Sequence, residues 1–225
     1  MDSVPLVLYE RYRAKANRRW QRMRDDDFKR AQKADIWLPH VAPINAFVDE
    51  LRRKSWVPYV APVYGGIEAE MLSILESPGP MTDSSAQGSG FLCPENADPT
   101  AALFSVLLEE AAIPVDKLVA WNAYPWLKVG PRLSSAERDA GIEPLRRLLS
   151  LLPLLRVVML NGGEARKSWD VFARRYPTIA SRYVVLRTNH TSMTAFQAKE
   201  EERDRRMADL LSNFHAAARV IDSGG

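Results

Sequence analysis

Four short polar clusters each follow an apolar run, and they hold side chains able to do chemistry near neutral pH. They are Glu76-Ser77-Pro78-Gly79-Pro80, Asn122-Ala123-Tyr124-Pro125-Trp126, Asn161-Gly162-Gly163 and Asn189-His190-Thr191-Ser192. His190 can donate a hydrogen bond to an atom that gains negative charge during a reaction. Asn122 carries a hydrogen-bond donor and an acceptor on one amide. Ser77 can hold a water, and Glu76 is a candidate general base. Gly162-Gly163 opens a helix whose backbone N–H groups suit an anion, although it lacks the GxGxxG or Lys-Ser/Thr pattern of a nucleotide loop.

The elements that position these clusters follow from the hydrophobic pattern. Met71–Leu75, Leu118–Asn122, Arg156–Asn161 and Arg182–Leu186 read as strands, the first of them buried. Between them lie a helix from Pro99 to Ile113, with Asp98 as its N-cap, and one from Ser134 to Leu152, opened by Ser-Ser-Ala-Glu. A third runs from Gly163 to about Arg175, and a charged helix from about Ala195 to Val220 follows the last strand. Strands separated by helices imply an α/β fold, a three-layer α/β/α sandwich around a four-stranded parallel sheet. Ligands bind such sheets beyond the carboxyl ends of the strands, so all four clusters are expected on one rim. Thr82–Gly90, rich in Ser and Gly, predicts a mobile loop.

Composition narrows the class. Of 225 residues, 46% are hydrophobic and 26% charged, which is globular rather than disordered. No apolar run approaches the roughly 18 residues of a membrane span, and MDSVPLVLYERYR lacks a signal-peptide pattern, so a cytoplasmic monomer is expected. One cysteine, Cys93, excludes an internal disulfide and a four-cysteine cluster from this chain; no metal or cofactor is expected. The net charge of +3 conceals an asymmetry: ten basic residues lie between Tyr9 and Lys33 against four acidic ones. Tyr9, Tyr12, Ala16, Trp20 and Met23 recur at helical spacing, predicting one long basic helix with an apolar stripe. A shorter helix, Ile44–Lys54, follows. Residues 1–55 therefore read as a basic helical extension ahead of an α/β domain at 56–225. Its arginines, Arg18, Arg19 and Arg22 among them, suit a nucleic-acid backbone, while a solvated helix braced on the domain is an equal alternative.

The order of the rim motifs resembles the uracil-DNA glycosylase superfamily, over roughly Glu70 to Ala218. LESPGP (Leu75–Pro80) is similar to that family's GEAPG and GMNPGP motifs, WNAYPW (Trp121–Trp126) to its base-reading segment, and NHTSM (Asn189–Met193) to its late HPSP loop. The single cysteine separates the chain from the iron–sulfur branches, so the resemblance is to a divergent bacterial branch without a cluster. It implies a DNA partner, base flipping and hydrolysis of an N-glycosidic bond. It also implies that Phe91 stacks on the extruded base. Asp98 resembles the carboxylate that divergent branches use to activate water. The loop after His190, with Ser192, Met193, Thr194 and Phe196, would contact DNA and supply a wedge.

Two departures from the family pattern matter. Ser77 stands where the best-known members have the water-activating Asp, leaving Asp98 first, then Glu76, with Asp83 as an outside candidate. Gly79 stands where the strictest uracil enzymes have a Tyr that excludes 5-substituted pyrimidines. The expectation is therefore a monofunctional DNA glycosylase acting on a 5-substituted cytosine of phage-type DNA, or on uracil, in antiviral defence or DNA repair. With no Lys in the rim motifs, lyase chemistry has no evident nucleophile. The competing readings are a non-catalytic nucleic-acid-binding module on the same fold and a nucleotide- or phosphate-binding enzyme using Gly162-Gly163.

Overall fold

The structure is a computed structural model that describes residues 8–79, 82–83 and 88–223. Pro80 of the first motif and residues 84–87 of the expected mobile loop lie outside the described residues. The chain is an α/β protein whose central sheet has four parallel strands flanked by helices. The strands are β2 (Met71–Leu75), β4 (Leu118–Asn122), β5 (Val157–Asn161) and β6 (Val184–Thr188), in the order β4-β2-β5-β6. β2 is paired on both sides: Leu75 lies opposite Asn122 of β4, and Met71 opposite Val157 of β5. Asn161 closes β5 onto β2, its Nδ2 donating to Ser73 Oγ at 2.9 Å and to the Ile74 carbonyl at 3.2 Å. A second sheet, not foreseen from the hydrophobic pattern, pairs β1 (Tyr59–Val60) with β3 (Phe91–Leu92) in parallel. Two-residue strands carry too little alternation to be visible in sequence.

β2 and β4 have the expected bounds, and the caps explain why their flanking helices start where they do. Asp98 accepts from the Thr100 and Ala101 amides at the start of α4 (Pro99–Glu110). Ser134 and Glu137 form a reciprocal capping box on α5 (Ser135–Ser150). α4 stops short of the expected Ile113 because Ala112 adopts a positive φ of 53° and the Ile113 amide folds back to the Leu108 carbonyl. β6 begins two residues later than expected. The amides of Arg182 and Tyr183 bond to Ile179 and Ala180, closing the turn after the short helix α7 (Pro177–Ala180), so they are not free for the sheet. The last helix also starts later: Met193–Phe196 is a 3₁₀ turn, and α8 spans Glu200–Asp222 with three glutamates in its first turn, where the helix dipole favours them.

The basic N-terminal segment is not one helix. α1 (Leu8–Arg18) ends before Trp20, a 3₁₀ turn covers Arg22–Arg24, and Asp25 caps a new helix α2 (Asp26–Ala34). The apolar stripe breaks with it: Tyr9, Tyr12, Ala16 and Met23 are buried, whereas Trp20 is 65% exposed. α1 packs on α4 and α8. Its first amides are held from the other end of the chain, since Tyr9 N donates to Asp204 Oδ1 at 2.9 Å and Leu8 N to Asp204 Oδ2 at 3.1 Å. α3 (Ala42–Arg52) is fastened to β1 by Asn45, which bonds both the amide and the carbonyl of Val60.

Tyr12→Ala tests whether α1 belongs to the core. Removing this 3%-exposed ring should cost about 3–5 kcal/mol in denaturant unfolding, as for other buried aromatics. A detachable arm would leave the unfolding midpoint where it was.

Candidate active site

The parallel pairing of β2 with β4 continues past the strand ends. Ala123 N donates to the Leu75 carbonyl at 2.8 Å and Tyr124 N to the Glu76 carbonyl at 3.0 Å, laying the first two motifs side by side. Beyond them lies a cavity of about 310 Å³ whose polar lining includes Ser77, Asn96, Asp98, Asn122 and His190, with Gly79 on its wall. Tyr64, Leu92 and Phe104 supply apolar surface. Five expected site residues, Ser77, Gly79, Asp98, Asn122 and His190, are thus brought together.

Asn122 is 2% exposed, and its buried Nδ2 has no hydrogen-bond partner among the described residues. Such an orphan donor is costly in a folded protein and asks for an occupant. His190 is oriented by its own loop: Nδ1 accepts from the Ser192 amide at 3.0 Å, so the neutral ring carries its proton on Nε2. Burial lowers its pKa from 6.5; Glu76 opposes that shift and Lys128 adds to it. The ring is therefore neutral at physiological pH, a donor through Nε2 rather than a cation. The loop is anchored by Asp209 of α8, whose Oδ2 accepts from Thr188 Oγ1 at 3.3 Å and from Asn189 Nδ2 at 2.9 Å. Nothing in the spacing of that charged helix marks Asp209 apart from its solvated neighbours.

Asp98 has two roles at once. Its Oδ1 caps α4 at 2.9 and 3.0 Å, while burial raises its pKa against the lowering pull of the Ala101 and Thr100 amides. Ser77 makes no hydrogen bond through its hydroxyl among the described residues and lines the cavity. Glu76 does not join these groups. It lines a neighbouring open groove of about 500 Å³ with Arg132, Gly163, Lys167, Ser192 and Thr194, and pairs with Lys128. His190 lines both spaces. The Glu76–Lys128 pair also puts a lysine at the rim, which no rim motif showed.

Phe91 is 3% exposed and does not line the cavity; Leu92 does, because successive side chains of a strand point to opposite faces. Among the wedge candidates Phe196 is buried and stacked on Tyr9 at 4.5 Å, whereas Met193 is 38% exposed. Arg18 is exposed and Arg22 lies over the Phe28 ring at 4.0 Å. Arg19 is spent internally, on Glu95 and Glu109, both at 3.0 Å. Asp83 lies on the loop after Gly79 and does not line the cavity. Among the described residues no helix is long and apolar enough to cross a membrane, and no group of three or more His, Cys, Asp or Glu is placed to hold a metal ion.

A scan against protein-family models finds no match for this chain, and a search of curated proteins finds none either.

Gly162 is the residue on which His190 rests. Its φ of 90° and ψ of 177° are open essentially to glycine alone, and a Cβ there would sit 3.2 Å from His190 Cβ. Gly162→Ala should cost on the order of 1–3 kcal/mol in thermal or denaturant unfolding and shift the His190 imidazole resonances. Unchanged stability and an unmoved ring would show that His190 is not held by this contact.

Proposed function

We propose that the protein is a monofunctional DNA glycosylase, built as the three-layer α/β/α sandwich of the uracil-DNA glycosylase superfamily, that excises a pyrimidine. The observation that carries this reading is the meeting, among the residues lining one cavity, of Asn122, whose buried Nδ2 has no partner among the described residues, and a neutral His190, whose proton sits on Nε2 because Nδ1 accepts from the Ser192 amide. The first group suits the edge of a flipped base. The second suits the negative charge that collects on that base as it leaves.

In the proposed reaction the C1′–N bond breaks, the bonding electrons go to the base, and His190 stabilises the anion by donation through Nε2. A water held between Ser77 and Asp98 adds its oxygen to C1′. Asp98 takes the water proton, and the departing base is protonated from solvent. The raised pKa of Asp98 suits a base better than an ordinary exposed carboxylate would, and its Oδ2 is not used in capping α4. Glu76, tied to Lys128, is assigned no proton transfer. The adjoining groove, with Arg132, Lys167 and the N-terminus of α6 (Gly163–Arg175), suits the phosphates on either side of the flipped nucleotide. Met193 is the accessible wedge.

Gly79 supports a substrate carrying a group at C5. It lines the cavity wall, and a Cβ added there would meet nothing within 4 Å. The favoured substrate is a 5-substituted cytosine, in defence against modified phage DNA, with uracil in repair as the other member of the class.

Oligonucleotides carrying uracil, mismatched thymine, hypoxanthine or 5-modified cytosines should be incubated with the protein and tested for abasic sites. His190→Ala should slow release about 10²–10³-fold, as loss of an oxyanion donor does. Asp98→Ala should slow it about 10²–10⁴-fold. The wild-type rate should fall as acid protonates Asp98, with a midpoint above 3.8. DNA binding with no base released from any substrate would point instead to a non-catalytic binding module. A separate variant, Gly79→Tyr, should abolish release of 5-substituted bases and spare uracil. Equal effects on both would overturn the role given to Gly79.

A further inference from the structure

The cavity holds a second orphaned polar group that no part of the proposed mechanism uses. Asn96 is 4% exposed, lines the same cavity as Asn122, and its buried Oδ1 has no donor among the described residues. Its amide cannot turn to relieve this. Nδ2 is committed to the Phe91 carbonyl at 3.0 Å, which leaves the oxygen as the free end. Its backbone is fixed as well: the Asn96 carbonyl accepts from Gln21 Nε2 at 3.1 Å and from the Asp98 amide at 2.8 Å. Asn96 and Asn122, the one with a buried unpartnered acceptor and the other with a buried unpartnered donor among the described residues, therefore both line one cavity.

Buried polar groups left unpaired in a native structure call for an explanation, and two of opposite polarity in one cavity have a common one. We propose that Asn96 is a second ring-reading residue. Its Oδ1 accepts an N–H on the edge of a planar ring, a ring N–H in uracil or thymine and the exocyclic amine in cytosine, whose neighbouring acceptor is met by Asn122 Nδ2. The ligand class is a ring with a cis-amide or amidine edge, which uracil, thymine and cytosine all present. The assignment to a flipped DNA base rests on the glycosylase reading above; the recognition of the edge does not.

Two isomeric probes of equal size separate the edge from the shape. 3-Methyl-2-pyridone keeps the ring N–H beside its carbonyl, and N-methyl-2-pyridone has lost it. Titrated into the full chain and followed by calorimetry and by the side-chain amide resonances of Asn96 and Asn122, the first should bind about tenfold or more tightly than the second. Asn96→Leu should erase that preference, and Asn122→Leu should weaken both probes. Equal affinities, a preference that survives Asn96→Leu, or no binding of either probe at millimolar concentration would each overturn the proposal. Should Asn96→Leu fail to fold, the wild-type preference and a shift of both amide resonances on binding decide it. Discrimination between the probes without base release would sink the glycosylase reading and leave this one standing. Base release without discrimination would do the reverse.

Discussion

The structure depends on one constraint: β2 is hydrogen-bonded to a parallel partner on each side. Parallel strands run their carboxyl ends to the same edge, so pairing β2 with both β4 and β5 brings Ser77, Asn122 and Asn161 to a common rim. The bond from Tyr124 N to the Glu76 carbonyl extends the pairing into the loops, and Asn161 staples the other side. β6, which pairs with β5 at the end of the sheet order, adds the loop that carries His190. A one-residue slip of β2 against β4 would turn Asn122 away from the rim.

The remaining wall of the cavity is not part of the sheet. Residues 93–98 contribute Cys93, Asn96 and Asp98, and they are held from the N-terminal segment. Gln21 Nε2 bonds the Pro94 and Asn96 carbonyls, Met23 N bonds the Glu95 carbonyl, and Arg19 forks onto the Glu95 carboxylate. Glu95 and Arg19 are mostly shielded from water, a setting in which an ion pair fixes geometry more than it adds stability. Basic residues that look in sequence like a surface for nucleic acid are thus divided. Arg19 builds the site wall, and Lys15 pairs with Glu110, while Arg18 and Arg22 stay exposed. The break after Arg18 follows from the same clamp, because Gln21 is drawn inward to 2% exposure where a continuing helix would have carried Trp20.

Local signals were readable wherever the physics is local. Asp98 before Pro99 marks a helix start by its own side chain, and Ser134 with Glu137 does the same. Continuous apolar runs mark β2 and β4 because strands buried on both faces have no polar alternation. The errors fall where distant groups compete for a backbone amide or a face. β6 loses its first two residues to the turn after α7. Phe91 is displaced from the cavity by the pleat of β3, a strand too short to be visible. Asp209, which anchors the His190 loop from α8, and Asn96, which faces the cavity from an irregular segment, have no local pattern at all.

The order of the four longer strands and of the longer helices between them, the caps of α4 and α5, and the clustering of Glu, Ser, Asn and His after the strands were determined by the sequence by itself, since each depends on residues a few positions apart. Tertiary structure alone decided which of those groups share a space. It put Asp98 in the cavity and Glu76 in the groove beside Lys128, although Glu76 adjoins Ser77 in the chain, because neighbouring residues beyond a strand end point to different sides. It also decided that His190 is neutral with its proton on Nε2, through burial and the Ser192 amide, properties that belong to an environment and not to a residue type.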